Sequence, residues 1–377
     1  MNLSMKTVIK GYKYRIYPTK EQEIQLAKTF GCCRFVYNQM LAKKIEFYKT
    51  EKKSLSKFDS KKYMTNQLKK EYPWLKEVDK FALENSIFNL QDAYQKFFKE
   101  HTGFPKFKSK HNHYYSYTTN FTNNNIKVLF DDNLVQLPKL GKVKTKLHRI
   151  FTGKILFAAV SRVPSGKYYV SFNVECEHEE LPQNNNKIGF DLGVKEFLID
   201  TNNNHIENPK ILYKYEKQLK KLQRQLCKMQ KHSNNYKKQT KKIAKLHEKI
   251  ANIRNDFQHK LSSQIVKENQ IIISEDLNIS GMLKNHNLAK AISDVSWSEF
   301  TKQLQYKAQW NDRIYHKINP WFASSQTCNE CGNINKEVKC LSIRQWVCSE
   351  CGAIHDRDEN ASKNILKQGL KELGINA

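Results

Sequence analysis

The sequence predicts a multidomain α+β protein: a β-domain with inserted helices, then an α/β region that carries a small metal ribbon. Three observations lead there. Short apolar runs alternate with turn signals over 126–175. Apolar residues recur every three or four positions over 60–100 and 211–266. Two Cys-x2-Cys pairs, Cys328/Cys331 and Cys348/Cys351, stand sixteen residues apart.

Residues 6–17 read as a strand that stops at Pro18, and Thr19 with Gln22 forms a capping box for a helix through Ile24, Leu26, Ala27 and Phe30. Leu83, Ile87, Leu90, Tyr94 and Phe97/Phe98 mark a further helix. The β-rich stretch has turns at Asp131–Asn133, Pro138–Gly141 and Pro164–Gly166, and the early strand can complete its sheet. Pro182–Asn186 resemble a linker. The apolar runs ending at Asp191 and over Phe197–Ile199 open the α/β region. A helical hairpin follows, with Leu212, Tyr215, Leu219, Leu222, Leu226 and Met229 facing Ile243, Leu246, Ile250, Ile253 and Phe257, and a bend at His232–Asn235. Ile271–Ser274 lead into Glu275; a flexible segment, a helix near 298–312 and a strand at 314–318 are expected after it.

The chain has 377 residues and a formal charge of +28. That imbalance points to a polyanionic partner, nucleic acid before membrane. No apolar run reaches the length of a membrane span, and Met1–Lys10 lack the apolar core of a secretion signal. Nine cysteines in such a chain argue for thiols and metal ligation in a reducing compartment.

The four ribbon cysteines suit one structural zinc: four thiolates close a tetrahedron and leave no position for chemistry. Cys340 is the odd one out, and Cys32, Cys33, Cys176 and Cys227 are expected to be buried. In 103–117, Lys106, Lys108 and Lys110 interleave with Phe104 and Phe107, and Tyr114, Tyr115 and Tyr117 follow. Cations that meet phosphates beside rings that stack on bases suit nucleic acid. Asp191 and Glu275 end apolar runs, and Asp358 opens a helical pattern. Carboxylates gathered together repel unless cations lie between them. Mg²⁺ is held by carboxylates with substrate phosphate, and a pair of such ions can clamp both oxygens of a phosphodiester cleavage. These features alone lead to a metal-dependent nuclease or a nucleic-acid-binding protein.

Several stretches resemble the TnpB family of transposon-encoded proteins, related to type V CRISPR effectors. They are Tyr14–Thr19, Arg34–Asn38, Gly103–Phe107, Phe121–Asn125, Leu137–Gly141, Asp191–Lys195, Ser324–Cys328 with the ribbon, and Asp356–Ala361. The resemblance implies a wedge β-barrel domain (1–16 and 103–185) with recognition helices inserted over 17–102. It implies an RNase H-like RuvC nuclease domain (186–327 and 352–377) interrupted by the zinc ribbon (328–351). Such proteins carry a guide RNA from the transposon end, pair it with double-stranded DNA beside a short adjacent motif, and cut. The catalytic, Mg²⁺-binding residues carry over to Asp191, Glu275 and Asp358, with two Mg²⁺ and one Zn²⁺. Asp358 is preferred to Asp356 because the family's acid stands two residues before the Asn of Asp-x-Asn-Ala. Lys80, Glu84 and Thr122 match motif-facing positions, although Glu84 stands where relatives can carry Gln, and Lys106 and Lys108 are expected to touch nucleic acid. The alternative is an RNA-guided DNA-binding regulator that does not cut. A DNA transposase is disfavoured by the lack of an evident Tyr or Ser recombinase constellation. A monomer within a ribonucleoprotein, in the cytoplasm at the nucleoid of a bacterium or archaeon, is expected.

Overall fold

Pro18 ends the first strand, β1 (Met5–Tyr17), and Thr19 starts the first helix, α1 (Lys20–Glu51). The capping box is formed: the Thr19 hydroxyl accepts from Gln22 N–H, and the Gln22 side chain accepts from Thr19 N–H. The computed structural model describes residues 5–111, 115–340 and 342–375; Tyr114 of the basic loop lies outside the described residues. The chain forms two compact units, one over 7–177 and one over 178–377 with residues 1–6.

In the first unit, α2 (Lys57–Tyr63) passes through a π-turn into the short α3 (Lys69–Glu71). After the 3₁₀ turn Pro73–Glu77, Asp79 caps α4 (Lys80–Glu100). These helices lie in sequence between β1 and β2 (Tyr115–Asn120). The remaining strands are β3 (Lys127–Leu129), β4 (Leu134–Leu137), β5 (Gly141–Lys146), β6 (Lys154–Arg162) and β7 (Tyr168–Glu179). The sheet order is β2-β6-β7-β1-β5-β4-β3, so the sequence-distant β1 sits in the middle of the sheet. Where the sequence predicts a β-barrel, the pairing among the described residues is open, with the three-residue β3 at one end. β7 buries alternate residues Tyr168, Val170, Phe172, Val174 and Cys176, the period-2 pattern of a sheet with one covered face. In α4 the buried stripe is Leu83, Ile87 and Leu90, whereas Phe98 is exposed and meets Tyr94 and Phe97 at the surface.

In the second unit, β8 (Lys187–Leu192), β9 (Glu196–Asp200) and β10 (His205–Glu207) precede the hairpin α5 (Ile211–Cys227) and α6 (Asn234–Glu268). Then come β11 (Ile271–Glu275), α7 (Ile279–Met282), α8 (His286–Val295), α9 (Trp297–Trp310), β12 (Ile314–Ile318), β13 (Gln345–Val347), β14 (Ile354–Asp356) and α10 (Arg357–Glu372). The sheet order is β10-β9-β8-β11-β12. β11 pairs parallel with β8 and with β12, and β9 runs antiparallel to β8.

Both faces of this sheet are covered. Ile272 faces a core with Phe190, Leu261, Ile265, Trp297, Phe300 and Leu304, while Ile271 and Ile273 face Ile318, Ile365 and Leu370. Two glycines let α10 approach closely: a Cβ on Gly189 would lie 2.7 Å from Leu366 Cβ, and one on Gly369 would lie 2.3 Å from Ile273 Cγ2.

Three expectations need correcting. The segment after Glu275 is helical: α8 buries Ile292 and Val295 in the core, an amphipathic pattern too short to stand out in sequence. Cys227 is exposed, because it ends α5 five residues beyond Leu222, past the packed stripe through Leu219 and Leu222. The hairpin seam also divides, since Leu246 and Ile250 pack on α5 while Phe257 packs on Phe197 of the sheet.

Candidate active site

Asp191 and Glu275 are brought side by side by strand register. Phe190 of β8 pairs with Ser274 of β11, so the next residue on each strand is an acid emerging at the same end of the sheet. Asp358 arrives in the first turn of α10, which packs across β8. Burial, with the charges of Glu275 and Asp358 next to it, pushes the Asp191 carboxyl up to about 8; nearby Arg357 opposes this. Burial also raises Glu275, while a hydroxyl hydrogen bond donated by Ser324 works the other way. Asp358 receives a 2.8 Å ion pair from Arg344. A cavity of about 220 Å³ opens here, lined among others by Asp191, Glu196, Arg344, Arg357 and Asp358.

Asp356 has a different task. Its carboxylate caps α10, accepting from the N–H groups of Asp358 (2.9 Å) and Glu359 (3.2 Å). That frees the Asp358 carboxylate for the cavity. Asn360 and Asn364 fasten the same helix to the chain entering the ribbon. The Asn360 amide donates to Thr327 O at 2.7 Å, and the Asn364 amide donates to Ser324 O and Thr327 O.

The acids interact through their charges but do not form one closed ligand shell. Among the described residues, the four ribbon cysteines alone form a group of three or more metal-capable side chains with ligand atoms within 4.8 Å of one another.

The cysteines fit a tighter metal. Sγ–Sγ distances are 3.7 Å for Cys328–Cys351 and 3.5 Å for Cys331–Cys348. A tetrahedron with Zn–S near 2.3 Å has edges of about 3.8 Å. Both knuckles turn through glycines in the left-handed region, Gly332 (φ 81°) and Gly352 (φ 70°). His355 Nε2 lies 3.0 Å from Cys328 Sγ. Cys340 stands outside the set, with Ser342 Oγ 3.0 Å from its sulfur.

The five candidate nucleic-acid residues fall in the first unit. Lys80 opens α4, with its ammonium 4.8 Å from the Phe81 ring. Glu84 is paired with Lys61 at 3.1 Å, its side chain 13% exposed. Thr122 begins an exposed turn in which Asn125 accepts from its N–H. Lys106 is exposed. The Lys108 backbone is clamped by both atoms of the Asn38 amide, and its ammonium sits 4.0 Å from the Tyr37 ring. Desolvation beside the ring lowers its pKa, although the residue as a whole is exposed.

Sequence reasoning missed Ser324, Arg344 and Arg357. Arg357 stands between the two competing aspartates, and Arg344 lies inside the ribbon loop, where only the β13–β14 pairing turns it towards Asp358. Ser324 and Arg357 do lie in stretches that carry the family resemblance, Ser324–Cys328 and Asp356–Ala361, but the task of a single serine or arginine there is not written in its local pattern.

Residues 171–286 match a family described as "Probable transposase", residues 297–365 a "Cas12f1-like, TNB domain", and residues 5–53 a "Helix-turn-helix domain". In the structure that last stretch is β1 and the single helix α1. A Streptomyces pristinaespiralis protein named "Putative RNA-guided DNA endonuclease" is 35% identical over 370 residues, covering 97% of this chain and 90% of its own. Escherichia coli "Putative RNA-guided DNA endonuclease InsQ" is 31% identical over 379 residues, covering 96% and 92%. The fold is similar to that of the protein in a Cas12f1–sgRNA–target DNA complex, with a TM-score of 0.59, 13% identity, and 95% and 98% of the two chains covered.

Proposed function

Because the chain belongs to the TnpB family, we propose that it is an RNA-guided, Mg²⁺-dependent DNA endonuclease of a mobile element. The observation that carries this reading is the meeting of Asp191, Glu275 and Asp358 at one end of the parallel β8–β11 pair, with Arg344 beside them. In this reading 186–327 and 352–377 form the RuvC-like nuclease and 328–351 its zinc ribbon. The wedge comprises 1–16 and 103–185, and the recognition helices 17–102. The protein acts as a monomer around its guide RNA, at the nucleoid of its host.

Asp191, Glu275 and Asp358 would hold the Mg²⁺ ions, which supply charge neutralisation at the phosphodiester and an activated water. The protein's own groups prepare that site. Ser324 orients the Glu275 carboxylate. Burial and the charges of Glu275 and Asp358 raise the Asp191 carboxyl, so a cation held there would favour its ionised, ligating form. Arg344 and Arg357 place guanidinium charge at the cavity wall, where phosphate oxygens gain negative charge during cleavage. Cys328, Cys331, Cys348 and Cys351 would hold one zinc with no open position, fixing the hairpin that carries Arg344.

The test is to sequence the RNA that copurifies with the protein, reprogram its guide, and offer a plasmid library with randomised flanks in Mg²⁺ or EDTA. Mg²⁺-dependent cutting beside a fixed motif is expected; guided binding without cutting would instead establish the regulator. The same library cut by Glu84→Gln addresses motif reading. A direct contact changes preference at one base, roughly 1–3 kcal/mol of discrimination. A Glu84 engaged only with Lys61 leaves the profile unchanged.

A further inference from the structure

Trp321 is 90% exposed, the most exposed of the large hydrophobic side chains among the described residues. An indole normally contributes much by being buried, yet the surrounding segment is built to hold this one outward. Asn319 Oδ1 accepts from Trp321 N–H at 2.9 Å, and Phe322 N–H donates to Asn319 O at 3.1 Å, which makes a tight turn. Phe322 then packs inward against Ile318, Ile365 and Leu370. The turn lies beside the acids. Ile318, three residues before Trp321, pairs with Glu275, and Ser324, three residues after it, donates to the Glu275 carboxylate.

We propose that Trp321 is a stacking platform for an unpaired nucleotide of the DNA strand being cut, next to the phosphate held at Asp191, Glu275 and Asp358. The inference rests on the nuclease reading above and adds a substrate contact to it. Its chain neighbours Asn319 and Pro320 are exposed as well, so the ring stands at the tip of a solvent-facing turn. A ring presented alone in a chain of charge +28 matches the way single-stranded nucleic acid is held: cations for the backbone, a flat aromatic for the base. Stacking is indifferent to base identity, which suits a nuclease whose sequence readout comes from base pairing. Fixing the flanking base also fixes the scissile phosphate against the carboxylates, the positional part of catalysis.

The experiment uses the guided ribonucleoprotein with wild-type protein, Trp321→Ala and Trp321→Phe. The targets carry 2-aminopurine, a base whose fluorescence is quenched on stacking, at the nucleotide flanking the cut. Wild type and Trp321→Phe should quench the probe, and Trp321→Ala should not. kcat/KM for cleavage should fall at least about fivefold in Trp321→Ala and recover most of the way in Trp321→Phe. Equal quenching by wild type and Trp321→Ala would overturn the proposal. So would a cleavage loss that Phe does not rescue, or quenching seen with an RNA strand and absent with DNA. If wild type quenches the probe but never cuts, the nuclease reading fails while the stacking contact stands.

Discussion

In the proposed reading the acid cluster and the cysteine cluster both hold cations, and they are built in opposite ways. The four sulfurs lie at tetrahedral-edge spacing and are brought together by local turns at Gly332 and Gly352. The three carboxylates come from β8, β11 and α10; Asp191 and Asp358 line a cavity of about 220 Å³, and each acid is balanced by a protein group: the nearby charge of Arg357 for Asp191, the Ser324 hydroxyl for Glu275, and the Arg344 ion pair for Asp358. A closed soft-ligand shell stabilises a fold. An open hard-ligand set, held apart and partly protonated, keeps room for water and phosphate.

The contrast is tested most severely by Asp191→Ala, Glu275→Ala and Asp358→Ala. Each should lower guided cleavage by about three orders of magnitude or more, since the metal's role is worth several kcal/mol, while guided DNA binding in a gel shift survives. Loss of binding in step with cleavage would move these acids from chemistry to structure. The ribbon should answer differently. Cys348→Ser should lose its zinc in metal analysis and weaken the whole second unit. Cys340→Ser should keep one zinc per chain, and the reverse pattern would refute the ligand set.

A third measurement concerns protonation. Asp191 has a folded pKa of about 8 against an ordinary value of 3.8. A raised pKa means that its contribution to stability is complete below about pH 4 and is lost as pH climbs towards 8. The metal-free wild type should therefore melt progressively lower from about pH 4 to pH 8 and level off above that. Asp191→Asn should remove most of that slope and melt higher at the alkaline end. A slope that persists in Asp191→Asn would place the strain elsewhere. The smallest effect belongs to Asp356→Ala, which removes a helix cap worth about 1 kcal/mol. It should lower the melting temperature slightly and leave cleavage much closer to wild type than Asp358→Ala does.

How much could be read in advance follows the range of the signal. The capping box at Thr19 and Gln22, the strand at 314–318 and the ribbon spacing are local patterns, and each is found in the structure. α8, Cys227 and the division of the hairpin seam between Ile250 and Phe257 were misread or invisible. In each case the deciding neighbour is remote in the chain, and periodicity names a buried face without saying what covers it.

The sequence by itself determined the chemistry on offer: four thiolates at ribbon spacing, carboxylates at the ends of apolar runs, and a charge of +28 suited to a polyanion. Tertiary structure decided how those groups are used. It set Asp191 beside Glu275 through the β8–β11 register, gave Asp356 to the helix cap while Asp358 met Arg344, and raised the Asp191 pKa. The reason is physical: a carboxylate's proton and partners depend on burial and on charges a few ångströms away, and the charges that raise Asp191, those of Glu275 and Asp358, lie more than 80 residues from it in the chain.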